Sequence, residues 1–206
     1  MACKTEHERA LTGKLFDAHT KELMDIKHIA HTLCKQYNEL DEYDEKRQEI
    51  LDELLAKLGN NVKMQGPIQF NYGVNTIIGN NFFSNFNFTV LDDGLITIGD
   101  NVMIGPNVSL MASSHPLIAS ERETMEYADG HVGMSEYVHP INIGSHVWIA
   151  SGVIVCGGVT IGDGAVIGAG SVVTRDIPAG CFACGVPCKP IRKITEKDSC
   201  MDLLDK

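Results

Sequence analysis

Residues 143–173 read IGSHVWIASGVIVCGGVTIGDGAVIGAGSVV, and their spacing settles the fold. An aliphatic residue recurs every six positions, at Ile143, Ile149, Val155, Ile161, Ile167 and Val173. Four places after the first five of these stand Val147, Val153, Val159, Ala165 and Ser171, all small or β-branched. A helix requires a period near 3.6 and a half-buried strand a period of 2, and six matches neither. Six residues make one short strand and a corner. The pattern therefore predicts a triangular parallel coil, an all-β solenoid with one aliphatic side chain per strand pointing inward.

Working backward from this stretch, looser sixes begin near residue 62, at Val62, Ile68 and Val74. A second phase runs through Ile78, Ser84 and Val90, slips by two residues across LDDGL, and resumes at Ile98, Ile104 and Leu110. A slip of that kind marks a corner widened into a loop. From Met111 to Pro140 the hexads vanish, in MASSHPLIASERETMEYADGHVGMSEYVHP, a polar excursion from a rigid repeat. Long excursions of this sort are functional or disordered.

Residues 1–60 differ in character and read as a helical cap. Leu23, Ile26, Ala30, Leu33 and Tyr37 give one apolar helical face, with Thr20 as its cap. A second helix over about 42–58 carries Tyr43, Ile50, Leu51, Leu54, Leu55 and Leu58 and stops at Gly59. Such a cap would protect the exposed strand edges at one end of the coil. The coil itself spans 61–180 with the excursion at about 111–140, and 181–206 leaves it as a C-terminal segment.

Composition bounds the function. A net charge of −10 over 206 residues excludes a general binder of nucleic acid or anionic membrane, because phosphate neutralisation needs surplus Lys and Arg. The one concentrated cationic patch is Lys189, Arg192 and Lys193. Seven scattered cysteines, with neither a signal peptide nor a long apolar run, point to a reducing cytoplasm.

A coil filled with aliphatic side chains has no interior site, so chemistry belongs on the outside, in a groove between subunits. His115 opens the excursion and can accept and return a proton near neutrality. Asn85, within the aromatic run NNFFSNFNF, offers an amide donor and acceptor, whereas the Phe rings read as packing. His131, His139 and His146 are spaced 8 and 7 residues apart, which suits solvated histidines better than a zinc site. Cys181 and Cys184 form a single C-x-x-C near Cys188, weak as a metal motif without a second pair. No phosphate-binding loop and no serine nucleophile elbow occurs, so no metal and no covalent nucleophile is expected.

These motifs together resemble a family. LTGKLFDAH, IIGNNFFSNFNFTVLDDG, ITIGDNVMIGPNVSL, the HP at 115–116, INIGSHVWIASGVIVCGGVTIGDGAVIGAGSVVTRDIP and GVPCKPIRKI match in order the hexapeptide-repeat acyltransferases of the maltose/galactoside O-acetyltransferase group. The resemblance implies a left-handed parallel β-helix, against the usual right-handed rule for parallel crossovers. It implies a cytoplasmic homotrimer that transfers an acetyl group directly from acetyl-CoA to a sugar or glycoside hydroxyl, with sites between subunits. By the same resemblance His115 is the general base, and Asp17, Asn71, Asn85 and Asp93 hold the acceptor. Trp148, Ser151, Ala169 and Thr174 line the CoA channel, while Lys189 and Arg192 meet its phosphates. The excursion after His115 is longer than the resemblance implies, and its Glu136 falls near an acidic position beside the catalytic His. A non-sugar or amine acceptor, a metal-dependent coil and a non-catalytic trimer are the alternatives.

Overall fold

The computed structural model describes residues 5–126 and 130–204. Three helices, α1 (Glu6–Ala10), α2 (Lys21–Glu39) and α3 (Lys46–Leu54), precede a left-handed parallel β-helix of about six turns. Among the described residues no helix is long and apolar enough to cross a membrane.

The coil has three flat faces. The first carries Lys57–Leu58, Thr76–Ile78, Ile96–Ile98, Ile141–Ile143 and Thr160–Ile161. The second carries Lys63–Met64, Phe83–Ser84, Met103–Ile104, Trp148–Ile149, Val166–Ile167 and Cys181–Cys184, closed by the antiparallel Lys189–Lys193. The third carries Ile68–Phe70, Phe88–Leu91, Ser109–Met111, Ile154–Cys156 and Val172–Val173.

The hexad residues stack directly. Ile98 pairs with Ile143 and that with Ile161; Ile104, Ile149 and Ile167 form a second column; Leu110, Val155 and Val173 form a third. All nine are at most 3% exposed. Burying each such side chain is worth about 1.5–3 kcal/mol relative to water, so the columns are the principal source of stability.

Corners are where backbone geometry becomes strict. Between the first and second faces the left-handed conformation falls on Asn61, Asn81, Asn101 and then His146. Asn is tolerated there, and each side chain hands its amide to the next, Asn61 to Asn81 at 3.0 Å and Asn81 to Asn101 at 3.1 Å. His146 is thus a corner residue that continues an asparagine column. At the same corner Gly59, Gly79 and Gly99 allow successive backbones to touch; a Cβ on Gly79 would lie 2.7 Å from the Gly99 carbonyl.

Several local expectations change. The second expected helix spans only Lys46–Leu54: Tyr43 lies before it and is 86% exposed, Lys57–Leu58 is already a coil strand and Gly59 belongs to the glycine column. Thr20 stands at the N-cap of α2 but makes no side-chain cap bond. In the first turn the inward column is Leu58, Met64 and Phe70, which stack on Ile78, Ser84 and Val90. Val62 and Ile68 occupy the adjacent buried row, and Val74 is 41% exposed at a corner. Phe82 and Phe88 pack inside with Phe70, at ring separations of 6.0 Å, while Phe86 faces outward.

α2 supplies what a missing coil would have supplied. Asn38 accepts from the Ile68 N–H at 2.8 Å and donates to its carbonyl at 2.9 Å, and Tyr37 donates to the Met64 carbonyl at 2.6 Å. Those groups are the open edge of the first turn, so the cap prevents edge-to-edge pairing.

Candidate active site

The irregularity of the coil is concentrated at one corner. Between the first and second faces the connection holds four residues in successive turns, as in 79–82, 99–102 and 144–147. Between the third face and the first it holds five residues (71–75), then four (92–95), then the whole excursion after Met111, then three (157–159). The slip across LDDGL is this corner widening. Asn71, Asp93, His115 and Thr174 all sit on it, in ascending turns.

Around His115 the excursion folds back as a three-stranded antiparallel sheet. Ser113–Ser114 pairs with Ser135–Val138, which pairs in turn with Phe16–Asp17 from the cap. Ser114 lies opposite Tyr137, so one further step brings His115 beside Glu136; Glu136 itself lies opposite Phe16. His115 is exposed. A second small core of Ala10, Phe16, Ala18, Leu23, Tyr72 and Val138 holds cap, coil and excursion together.

Buried acids gather beneath it. Asp93 is 2% exposed and accepts from the Asn71 amide at 2.8 Å. Burial raises its pKa, opposed by the charge of Lys27. Glu136 is raised as well, by burial first and then by Asp93, with His115, Lys27 and His19 pulling it back. Tyr72 is buried beside Asp93, and burial followed by the Asp93 and Glu136 charges raises its pKa. Asp17 is 4% exposed; its carboxylate accepts from the His19 N–H at 3.0 Å and is paired with the imidazole of His131. Asp17, Asn71, Asp93, His115 and Glu136 therefore form one neighbourhood.

Asn85 does not join it. It lies at the corner between the second and third faces, the corner that also carries Ser151 and Ala169. There a cavity of about 250 Å³ is lined by Phe83, Asn85, Met103, Trp148 and Ser151. The outward column Phe83, Met103, Trp148, Val166, Phe182 makes an apolar wall on the second face. Met103 and Trp148 are 54% and 48% exposed, a patch that marks a contact or ligand surface.

Toward the C-terminal end, Thr174 and Lys189 line a cavity of about 590 Å³ together with Arg175 and Cys188. Nothing in the sequence pattern singles out Arg175, although it follows Thr174 directly. Arg192 is held in a two-bond fork by Asp198, at 2.8 and 2.7 Å, and that pairing lowers Asp198 to a pKa of about 2. Sequence reading also misses Asp92, fully buried, which accepts from the Tyr72 N–H at 2.8 Å and the Thr76 hydroxyl at 2.9 Å. It is a corner fastener, and the doublet Asp92–Asp93 is its only trace. Among the described residues no group of three or more His, Cys, Asp or Glu could hold a metal ion. His131 is engaged with Asp17, His139 packs edge-on against Tyr137 at 5.4 Å, and His146 is the corner residue above.

Comparison with known proteins accounts for this architecture. Residues 9–59 match the maltose acetyltransferase hexapeptide capping motif, and residues 140–175 match the bacterial transferase hexapeptide of six repeats. A galactoside O-acetyltransferase of Escherichia coli K12 is 43% identical over 192 residues, covering 93% of this chain and 90% of the relative. The crystal structure of a maltose O-acetyltransferase from Clostridium difficile 630 superposes with a TM-score of 0.86 at 41% identity, covering 95% of this chain and 100% of that one. A galactoside acetyltransferase in complex with coenzyme A also superposes at 0.86, with 42% identity and coverage of 95% and 94%. Helical cap, hexad coil and end-to-end identity agree, and the chain belongs to the maltose/galactoside O-acetyltransferase family of hexapeptide-repeat acyltransferases.

Proposed function

We propose that the protein transfers an acetyl group from acetyl-CoA to a hydroxyl of a sugar or glycoside, and that it works as a homotrimer. The observation that carries this reading is the division of the site. His115, Asp17, Asn71, Asp93 and Glu136 lie at one corner of the prism, and Asn85, Trp148 and Ser151 lie on another face. Neither half is a complete acyltransferase site. A second copy that sets its apolar wall against the first copy's His115 corner completes one, and threefold closure makes three.

In that groove His115 takes the proton from the acceptor hydroxyl as its oxygen attacks the thioester carbonyl. The carbon–sulfur bond then breaks, and the imidazolium returns its proton to the departing thiolate. No acyl-enzyme forms. Glu136, on the strand next to the segment that ends in His115, places a carboxylate near the positive charge that forms there during transfer. Asn71, Asp93 and Asp17 orient the acceptor hydroxyls, with Asn85 reaching in from the neighbouring subunit. The pantetheine arm runs along the apolar wall past Trp148, Ser151 and Ala169. The cavity of Thr174, Arg175 and Lys189 receives the phosphates, together with Arg192. The six described cysteines are free thiols, which suits a cytoplasmic enzyme.

The test is release of free CoA thiol from acetyl-CoA on a panel of sugar and non-sugar hydroxyl acceptors. Sugar-dependent release supports the reading, and release that ignores the sugar overturns it. Mixing His115→Ala and Asn85→Ala chains tests the shared site. Random trimers should recover up to about a quarter of the wild-type activity, since one site in four then has both residues intact. No recovery would place both residues in one chain's own site.

A further inference from the structure

Besides Asp92, which is fully buried, and Glu6, which accepts from the Asp17 N–H at 2.8 Å, three carboxylates meet at the His115 corner, and their counter-charges come from different places. Asp93 has Lys27 of α2 nearby, and Glu136 has His115, Lys27 and His19. Asp17 is paired with His131, which belongs to the excursion and stands 114 residues away in sequence. The Asp17 carboxylate is 4% exposed and the His131 side chain 31%, so the pair is partly withdrawn from water. The pairing also has a backbone frame: Asp17 lies opposite Ser135, and Val132–Gly133 pairs with Met125–Glu126 in a short hairpin that presents His131.

We propose that His131 is a specificity-determining residue of the acceptor site: by neutralising Asp17 it makes the site favour uncharged polyol acceptors over acceptors carrying an ammonium group. This rests on the reading of the His115 corner as the acceptor site. With His131 in place, one of the three acids contributes no net charge to the groove. Without it, the Asp17 carboxylate keeps only His19, whose Nδ1 stands 3.7 Å away, and attracts a cation more strongly. Without Asp17, the imidazolium is the surplus charge and repels one. At the exposure of this pair, screening limits each effect to about three- to tenfold in relative specificity.

The experiment uses the full chain and two acceptors with the same sugar, a methyl glycoside and a choline glycoside, whose quaternary ammonium neither titrates nor accepts acetyl. The readout is the ratio of kcat/KM, choline glycoside over methyl glycoside, followed by thiol release. His131→Gln, which keeps an amide donor for Asp17 but no charge, should raise the ratio about three- to tenfold with the KM for acetyl-CoA unchanged. Asp17→Asn should lower the ratio, and the double variant should return it near the wild-type value. A ratio unmoved by His131→Gln overturns the proposal, as do two single variants that shift it in the same direction. Where Asp17→Asn does not fold, the His131→Gln ratio decides by itself. Thiol release that ignores both sugars overturns the acceptor-site reading, and this inference with it.

Discussion

The coil at 141–173 and the excursion at 111–140 are adjacent and almost equal in length, yet they are held by opposite means. In the coil every strand pairs with a strand one turn away, and its inward side chains are buried among neighbours of the same kind. In the excursion, among the described residues, only Ala112, Pro116, Gly133 and Val138 are buried. Its place comes from distant partners: Glu136 against Phe16, and His131 against Asp17. A periodic scaffold fastens itself by repetition. An insertion that leaves the repeat must be fastened by long-range pairs, and those pairs leave polar groups in close company.

The difference can be broken or sharpened by substitution. The largest effect should come from His115, near the start of the excursion. His115→Ala should lower kcat by about two to four orders of magnitude, with acetyl-CoA binding retained in calorimetry. Wild-type turnover in that variant would remove His115 from the mechanism. A coil residue should behave in the opposite sense. Ile149→Ala, at a position with no exposed surface, should reduce stability to denaturant by about 2–5 kcal/mol, while kcat of the folded fraction stays within about twofold. Loss of activity without loss of stability there would undo the distinction between scaffold and site.

Smaller effects sharpen the picture. Lys189→Ala with Arg192→Ala should raise the KM for acetyl-CoA roughly tenfold and leave the melting temperature nearly unchanged, since both side chains are exposed. An unaltered KM would remove them from the donor site. The smallest concerns the buried acid Asp93. Burial raises its pKa above the unfolded value of about 4, so its contribution to stability is fully present below that value and lost as pH rises through the folded pKa. At pH 7, above the unfolded value, burial of this acid is destabilising. Asp93→Asn, which keeps an oxygen for the Asn71 amide, should raise Tm at pH 7 by roughly 2–4 °C, the shift expected for about 1 kcal/mol, and lose acceptor activity. A fall in Tm would show that Asp93 is structural first.

How much of the molecule is legible in its sequence follows the same division. The inward columns and the helical face of Leu23, Ala30, Leu33 and Tyr37 announce themselves by spacing, because each depends on neighbours at a fixed interval. The break at LDDGL even marks the corner that carries Asn71, Asp93 and His115. Where spacing ceases to be the cause, the pattern misleads or falls silent. It extends the second helix past Leu54 because apolar Leu55 and Leu58 suit a coil strand as well as a helix. It leaves Arg175 and Asp92 unmarked beside residues that a family pattern does mark. In the stretch TMEYADGHVGM, residues 127–129 lie outside those described.

A hexad of aliphatic residues admits one architecture, since only a triangular coil brings every sixth side chain to the same interior line. The amino-acid order alone therefore specified a parallel β-helix, its cap and the place where an insertion leaves it. It could not specify who faces whom across long separations. That Asn85 stands at a different corner from His115 and that His131 answers Asp17 depend on closure of the chain in space. Period reports the partner one turn away; charge and hydrogen-bond partners far apart in the chain carry no period, and only the folded molecule brings them together.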